Sequence, residues 1–359
     1  VTLRYEYGAA HAKALPRLVR SYARASAPLR TSEARWRAWL PQIAFGRAWL
    51  SRELQWDAYT VRSGATYEDC RGRHIISQGG YYQYDFGFQG AFRDPLQHML
   101  PMIYADPSLA RDVLLYSAQE QPRGGQIPYA MSELCRPYKF GNADDLDVWL
   151  LLAASEYGLA TRDFKLFDSR IPFAGGGSGT LWDHLKLAFH HQQSLLGSHG
   201  GYLALDTGDW SDFSTSFLQM TESTLVDAQA AYIYPRLALL AQARGDHAFA
   251  SALRQAGRQA LQTTRAQWTP SGWYARGYAG DAQIGTGAIF GEPQPWAILA
   301  GAQDRGRART LVANIRRFLT GEGAPAQLHG PARFGSAQSP AADDPAVTEH
   351  SHPSTGAIG

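Results

Sequence analysis

ESTLVDAQAAYIYPRLALLAQAR, residues 222–244, is followed after Gly245-Asp246 by a second long run from His247 to Trp268. Both carry apolar residues at three- and four-residue steps, the period of a helix that buries one side. Similar spacing recurs from Trp149 to Leu159, Thr180 to Leu196, Pro293 to Ala302 and Gly306 to Leu319. Asp94-Pro95 and Asp106-Pro107 each open a further helical segment with Pro in the first turn, carrying Leu96, Met99, Leu100 and Ile103, then Leu109, Val113 and Leu114. Almost nothing alternates with the two-residue period of a strand. The loops between segments are alternately short and long, so an all-α chain of paired helices is expected, a toroid whose long loops gather at one end and form the site there.

The 359 residues are 45% hydrophobic and 18% charged, enough for a large core in one big domain or two ordinary ones. With 34 basic and 32 acidic residues and no run of one sign, neither nucleic acid nor an anionic membrane is implied as a partner, and a neutral ligand fits better. No apolar run approaches the roughly 20 residues of a membrane span. The 10 Trp, 18 Tyr and 15 Phe fit a large core, and also a protein that stacks on sugar rings. Cys70 and Cys135 are too few for a disulfide framework and point to a reducing, cytoplasmic setting. The chain starts at Val1 without a signal-peptide pattern, as a fragment would.

Residues 1 to 30 read as a basic, Ala-rich helical lead ended by Pro28, and Trp36, Trp39, Leu40 and Ile43 mark an amphipathic helix with an aromatic face. From Val61 to Phe92 the chain is irregular and Gly-rich; so long a non-periodic stretch in a compact domain is usually functional.

The Gly-rich run ending at Gly208 leads into Asp209-Trp210-Ser211-Asp212, two carboxylates around an indole. Cleaving a glycosidic bond needs a carboxylic acid that protonates the leaving oxygen, and an indole gives a sugar ring an apolar face to lie on. Taken alone, the tetrapeptide also reads as an N-cap Asp before a core Trp.

Several segments in order then resemble glycoside hydrolase family 94, which holds the cellobiose and chitobiose phosphorylases and the tail of cyclic β-1,2-glucan synthase. Gly90-Ala-Phe-Arg93-Asp94-Pro-Leu-Gln97 resembles its G-x-F-R-D-x-x-Q, and Asn142-Ala-Asp144-Asp145 with Trp149 its F-x-D-D-x-x-W-L. Thr180-Leu-Trp-Asp-His184 resembles T-L-x-E-H, Asp209 to Asp212 its D-W-N-D, and Thr221-Glu222-Ser223 its G-E-S. Tyr278 to Asp281 and Glu292-Pro-Gln294 resemble Y-x-x-D and E-P-Q. The resemblance implies an (α/α)6 barrel, incomplete at its C-terminal end in this chain and without the family's N-terminal β-sandwich. Residues 1–55 are then a helical lead or linker and 56–359 the catalytic domain.

By the same resemblance Asp212 is the general acid, while Asp209 shapes the turn. Arg93 and Asp94 would hold hydroxyls of the sugar whose bond breaks; a helix-start ion pair is the other reading. Asp144, Asp145, Trp210, Tyr82, Gln83, Glu292 and Gln294 complete the expected substrate contacts, Asp144 and Asp145 being readable as N-caps too, and Trp149 as core. No cofactor is implied beyond inorganic phosphate as co-substrate, the partner is an oligosaccharide, and a homodimer stays open.

Reaction type depends on what meets the anomeric carbon. An inverting hydrolase needs a second carboxylate about 6.5–9.5 Å from the acid, whereas phosphate needs cationic or hydrogen-bonding groups. The family's phosphate-side arginines fall here on Ser77 or Gln78 and on Phe88 or Gln89, so Arg71 and Arg73 are the candidates to replace them. In the tail, His350 and His352 suit phosphate, Glu349 or Asp344 would suit a water-activating base, and a polar surface loop is the plain alternative. His350-x-His352 lacks a suitably spaced third ligand, so no metal is expected. The expected activity is inverting cleavage of β-linked gluco-oligosaccharides, with phosphorolysis ahead of hydrolysis; a catalytically silent carbohydrate-binding relative is the alternative from another class.

Overall fold

The computed structural model describes residues 27–68, 70–78, 91–132, 135–138, 141–212 and 218–319, together with 16, 20, 215, 328 and 329. After α1 (Pro28–Trp39) and α2 (Ala48–Ser63) come helices joined as antiparallel pairs: α3 (Arg93–Ala105) with α4 (Pro107–Gln119), and α5 (Leu146–Thr161) with α6 (Leu181–Ser194). Next are α7 (Thr224–Ala243) with α8 (His247–Ala266), then α9 (Pro293–Leu299) and α10 (Arg305–Phe318).

Burial sorts these helices into two rings. α5 and α7 are buried on nearly every side, as their almost uninterrupted apolar sequences require, whereas α8 buries one stripe, Phe249, Leu253, Ala256 and Ala260, and turns its Arg and Gln residues outward. The inner helices α3, α5, α7 and α9 pack side by side, α7 touching both α5 and α9. This is the double ring of an (α/α)6 barrel. Each inner helix starts at the same end, which places Arg93, Asp145, Ser223 and Glu292 around one mouth.

Local chemistry sets the helix starts at the opposite end. Asp106 caps α4, accepting from the Leu109 amide at 3.3 Å with Pro107 at the first helical position, and Asp246 caps α8 through the Phe249 amide. Thr180 and Asp183 form a reciprocal capping box on α6.

Short antiparallel pairs flank the helices: β1 (Ala65–Glu68) with β2 (Arg73–Ile76), β3 (Ala130–Met131) with β4 (Pro137–Tyr138), and β5 (Arg170–Pro172) with β6 (Ser178–Thr180). β7 (Tyr202–Leu203), β8 (Glu222–Ser223), β9 (Gly277–Ala279) and β10 (Ala282–Ile284) make one sheet, and β11 (Ile289–Phe290) pairs with β12 (Leu328–His329). Glu222 and Ser223, expected as the first residues of a helix, are strand because they pair with Tyr278 and Gly277. A Cβ at Gly277 would lie 2.1 Å from the Glu222 carbonyl oxygen, so only glycine allows this approach.

The expected Trp36–Ile43 helix stops at Trp39, since Pro41 drives Leu40 to an extended ψ of 140°. α2 runs unbroken across the expected boundary at residues 55 and 56. The reading of the cysteines is corrected: Cys70 and Cys135 form a disulfide, their Cα atoms 6.3 Å apart, because the β1–β2 and β3–β4 turns meet at the mouth. The argument from cysteine usage for a cytoplasmic setting therefore falls away. Glu68 stands beside the two sulfurs as the one potential metal-ligand trio among the described residues, and both sulfurs are spent in the bond.

A bond across 65 residues restricts the unfolded chain by on the order of 4 kcal/mol in the loop-entropy picture. Dithiothreitol is expected to lower the thermal midpoint of the intact chain; equal midpoints for the oxidised and reduced protein would contradict the pairing.

Candidate active site

At the mouth the loop ending in Asp212 is fastened at both sides. Gly208 adopts a φ of 79° open to glycine, its carbonyl accepts from the Asp144 amide at 3.3 Å, and the Thr207 amide donates to the Asn142 carbonyl at 2.9 Å. Asp209 then turns inward and Asp212 toward the cleft.

Asp209 and Arg276 are both fully buried and form a two-pronged ion pair, Nη1 to Oδ2 at 2.7 Å and Nη2 to Oδ1 at 2.6 Å. The Ser223 hydroxyl and the Ser211 amide also donate to Asp209. Burial by itself would raise the Asp209 carboxyl, yet the guanidinium and these donors hold it below the usual carboxylate range. Glu292 lies 3.8 Å from Arg276 Nε, a second carboxylate on the same cation.

Arg93, at the start of α3, is the second buried cation. It grips Asp145 through Nε at 3.0–3.1 Å and Nη2 at 2.9 Å, and extends Nη1 to Asp212 Oδ1 at 2.7 Å. Trp149 Nε1 donates to Asp145 at 3.0 Å, while its ring packs edge-on to Trp296 in the core. The Tyr129 hydroxyl donates to Asp212 Oδ2 at 3.2 Å, and the Tyr129 ring lies beneath the Arg93 guanidinium. Asp212 is thus held at both oxygens yet keeps 32% of its side chain exposed.

The neighbouring carboxyls are tuned differently. Asp94 is pushed up to about 7, first by burial and then by the charges of Asp212 and Asp145, against the pull of Arg93. Among the described residues neither carboxyl oxygen of buried Asp144 has a hydrogen-bond partner, and burial together with Asp209 and Asp145 drives it well above the usual range.

The structure therefore brings Arg93, Asp94, Asp144, Asp145, Asp212 and Glu292 into one polar cluster, with Trp210 half-buried in the same loop. Asp145 has both oxygens occupied by Arg93 and Trp149, which makes it a support for Arg93. Gln294 is spent on the backbone of Tyr274 and Phe290. Arg71 is paired with buried Glu120 at the end of α4, and Arg73 faces Asp112 at 3.7 Å; neither bonds to the Asp212 group. Tyr82, Gln83, Asp344, Glu349, His350 and His352 lie outside the described residues. Sequence reading missed Arg276 and Tyr129. A buried Asp209 demands a cation, and the sole basic residue of the Trp273–Ile284 stretch is Arg276, so charge balance was a usable signal; Tyr129 carried none.

Residues 67–339 match the sequence profile described as the Glycosyl hydrolase 94 superfamily, catalytic domain. The chain belongs to this family. Among curated family 94 relatives it is 27% identical over 235 residues to the 3-O-beta-D-glucopyranosyl-beta-D-glucuronide phosphorylase of Paenibacillus borealis, covering 62% of this chain and 30% of that protein. It is 24% identical over 249 residues to the solabiose phosphorylase of the same organism, covering 67% of this chain and 32% of the relative. It is 27% identical over 185 residues to the N,N'-diacetylchitobiose phosphorylase of Vibrio furnissii, covering 49% and 22%. The chain thus spans about a third or less of these relatives' lengths.

Breaking one half of the buried Asp209–Arg276 pair strands the other charge, so Arg276→Met is expected to destabilise by ~3–5 kcal/mol, and Arg276→Met with Asp209→Leu by clearly less. Additive losses in urea unfolding would contradict that coupling. Asp94 carries a raised carboxyl in the folded state, so its contribution to stability is present below its unfolded value and is lost as pH rises through about 7. Asp94→Asn should remove that part of the slope between about pH 4 and 7; an unchanged slope in denaturant midpoints would contradict it.

Proposed function

We propose that the chain carries the cleavage machinery of an inverting glycoside phosphorylase acting on β-linked gluco-disaccharides, with Asp212 as general acid. The observation that carries this reading is the division of labour among the clustered carboxyls. Asp145 and Asp209 are consumed by Arg93 and Arg276, Asp144 is buried with its carboxyl raised well above the usual range, and Asp212 alone among these four is partly open while fixed from behind. One positioned acid is what phosphorolysis requires, because phosphate is already a nucleophile. That the similar proteins are named phosphorylases supports the same choice.

In this scheme a phosphate oxygen forms a bond to the anomeric carbon from the face opposite the leaving sugar. The bond to the bridging oxygen breaks, and Asp212 delivers its proton to that oxygen. Each Asp212 oxygen keeps a second lone-pair position beyond the Arg93 or Tyr129 contact, so holding and proton transfer are compatible. Asp94, half-titrated near neutrality, serves as both donor and acceptor to a sugar hydroxyl, and Trp210 offers the ring its apolar face. With Arg71 and Arg73 engaged by carboxylates, His350 and His352 remain the phosphate-side candidates of the sequence. Hydrolysis would instead need Glu349 or Asp344 as base.

Incubating the protein with a panel of β-linked gluco-disaccharides, with and without phosphate, is expected to yield an α-configured sugar 1-phosphate only when phosphate is present. Asp212→Asn should lower that rate ~10²–10⁴-fold while leaving the fold intact. Free glucose formed at a rate indifferent to phosphate would make it a hydrolase, and saturable sugar binding without turnover a silent relative.

A further inference from the structure

A second charged cavity lies at the other end of the barrel, where α3 turns into α4. Its volume is about 370 Å³, within the range of small-ligand sites. α3 has 13 residues, so at 1.5 Å per residue the cavity stands roughly 20 Å from Arg93 and the Asp212 group. Four guanidiniums line it, from Arg62, Arg73, Arg111 and Arg170, together with the His74 imidazole, against two carboxylates, Asp106 and Asp112.

Those carboxylates are already committed. Asp106 Oδ1 accepts from the Ser108 hydroxyl and the Leu109 amide while its Oδ2 meets Arg62 Nε at 3.1 Å. Asp112 Oδ2 meets the His74 amide and Nδ1, and its Oδ1 faces Arg73 Nη1 at 3.7 Å. Arg111 has no ion pair among the described residues, and Arg170 has only the Ser178 carbonyl and hydroxyl, both at 3.0 Å, which orient its guanidinium without neutralising it. Arg73 Nε is sealed from the surface and has no acceptor among the described residues. Four cations against two anions leave an excess of two positive charges lining one concavity, a local field that favours an anion there.

We propose that this cavity is a non-catalytic binding site for a small phosphomonoester of a polyol, with Arg111 and Arg170 as its anion-binding groups. The dianion of a phosphomonoester matches the excess of two, and its oxygens suit guanidinium forks. Ser108 and Ser169 supply hydroxyls for the polyol, and Leu109 and Ile171 an apolar wall for its carbon face. The site is separate from the cleavage chemistry, so the proposal stands apart from the role given to Asp212.

The test is isothermal titration of glucose 6-phosphate into the intact chain at low salt, where such contacts are least screened. Saturable binding is expected, with no signal from glucose. Arg111→Ala with Arg170→Ala should weaken it ~100-fold, about tenfold for each charge-assisted contact, with the thermal midpoint and turnover unchanged. Arg111→Lys with Arg170→Lys, which keeps the charge and loses the fork, should fall between the two, so a poorly folding alanine variant does not decide the matter. Equal affinity in wild type and the alanine variant would overturn the proposal, as would no saturation up to ~10 mM. Binding lost in Arg93→Ala and retained in the alanine pair would place the ligand in the catalytic cleft and overturn it too.

Discussion

The Arg93 guanidinium, buried at the start of an inner helix and shared by Asp145 and Asp212, is the interaction on which the mouth of this barrel depends. A cation removed from water needs carboxylates with good geometry, and Asp145 meets that need so completely that Asp212 can be held by one prong and still face the cleft. Arg276 repeats the device beneath the same loop, fixing Asp209 three residues before Asp212. Together the two pairs tie a loop to the N-terminal ends of α3 and α5 and to strands β8 and β9, so Asp212 is placed by rigid elements at the mouth.

Crowding this many carboxyls around two cations also differentiates them. Burial and like-charged neighbours raise Asp144 well above the usual carboxylate range, an equally buried Asp209 is held below it by the Arg276 guanidinium, and Asp94 is pushed up to about 7. One residue type thereby provides two buried ion-pair anions, two buried carboxyls raised by their surroundings and a partly open carboxyl at the mouth. Asp144 and Asp145, adjacent in sequence, are both raised by burial, Asp145 against the pull of the Arg93 guanidinium bonded to it.

Much of this was legible in the sequence because the signals were long or local. The α7–α8 pair was expected from the apolar spacing of residues 222–268, and the start of α4 from Asp106-Pro107. Arg93, Asp94 and Asp212 were found through ordered motifs. What escaped reading depends on contacts between distant segments. The strands are two to four residues long, too short for a period to show, and β8 hid inside what looked like the first turn of a helix. The Cys70–Cys135 bond and the Arg71–Glu120 pair follow from two turns meeting at the mouth, which no spacing records. Gln294 looked like a sugar ligand because amides commonly are, yet its bonds all go to backbone.

The central claim is that Asp212 gives a proton to a leaving oxygen, and leaving-group dependence addresses it most directly. Turnover of wild type and Asp212→Asn should be compared on a β-linked gluco-disaccharide and on 2,4-dinitrophenyl β-glucoside, whose phenolate departs without protonation. The account predicts a loss of ~10²–10⁴-fold on the disaccharide and a small loss on the aryl glycoside. Equal losses on both substrates would contradict it.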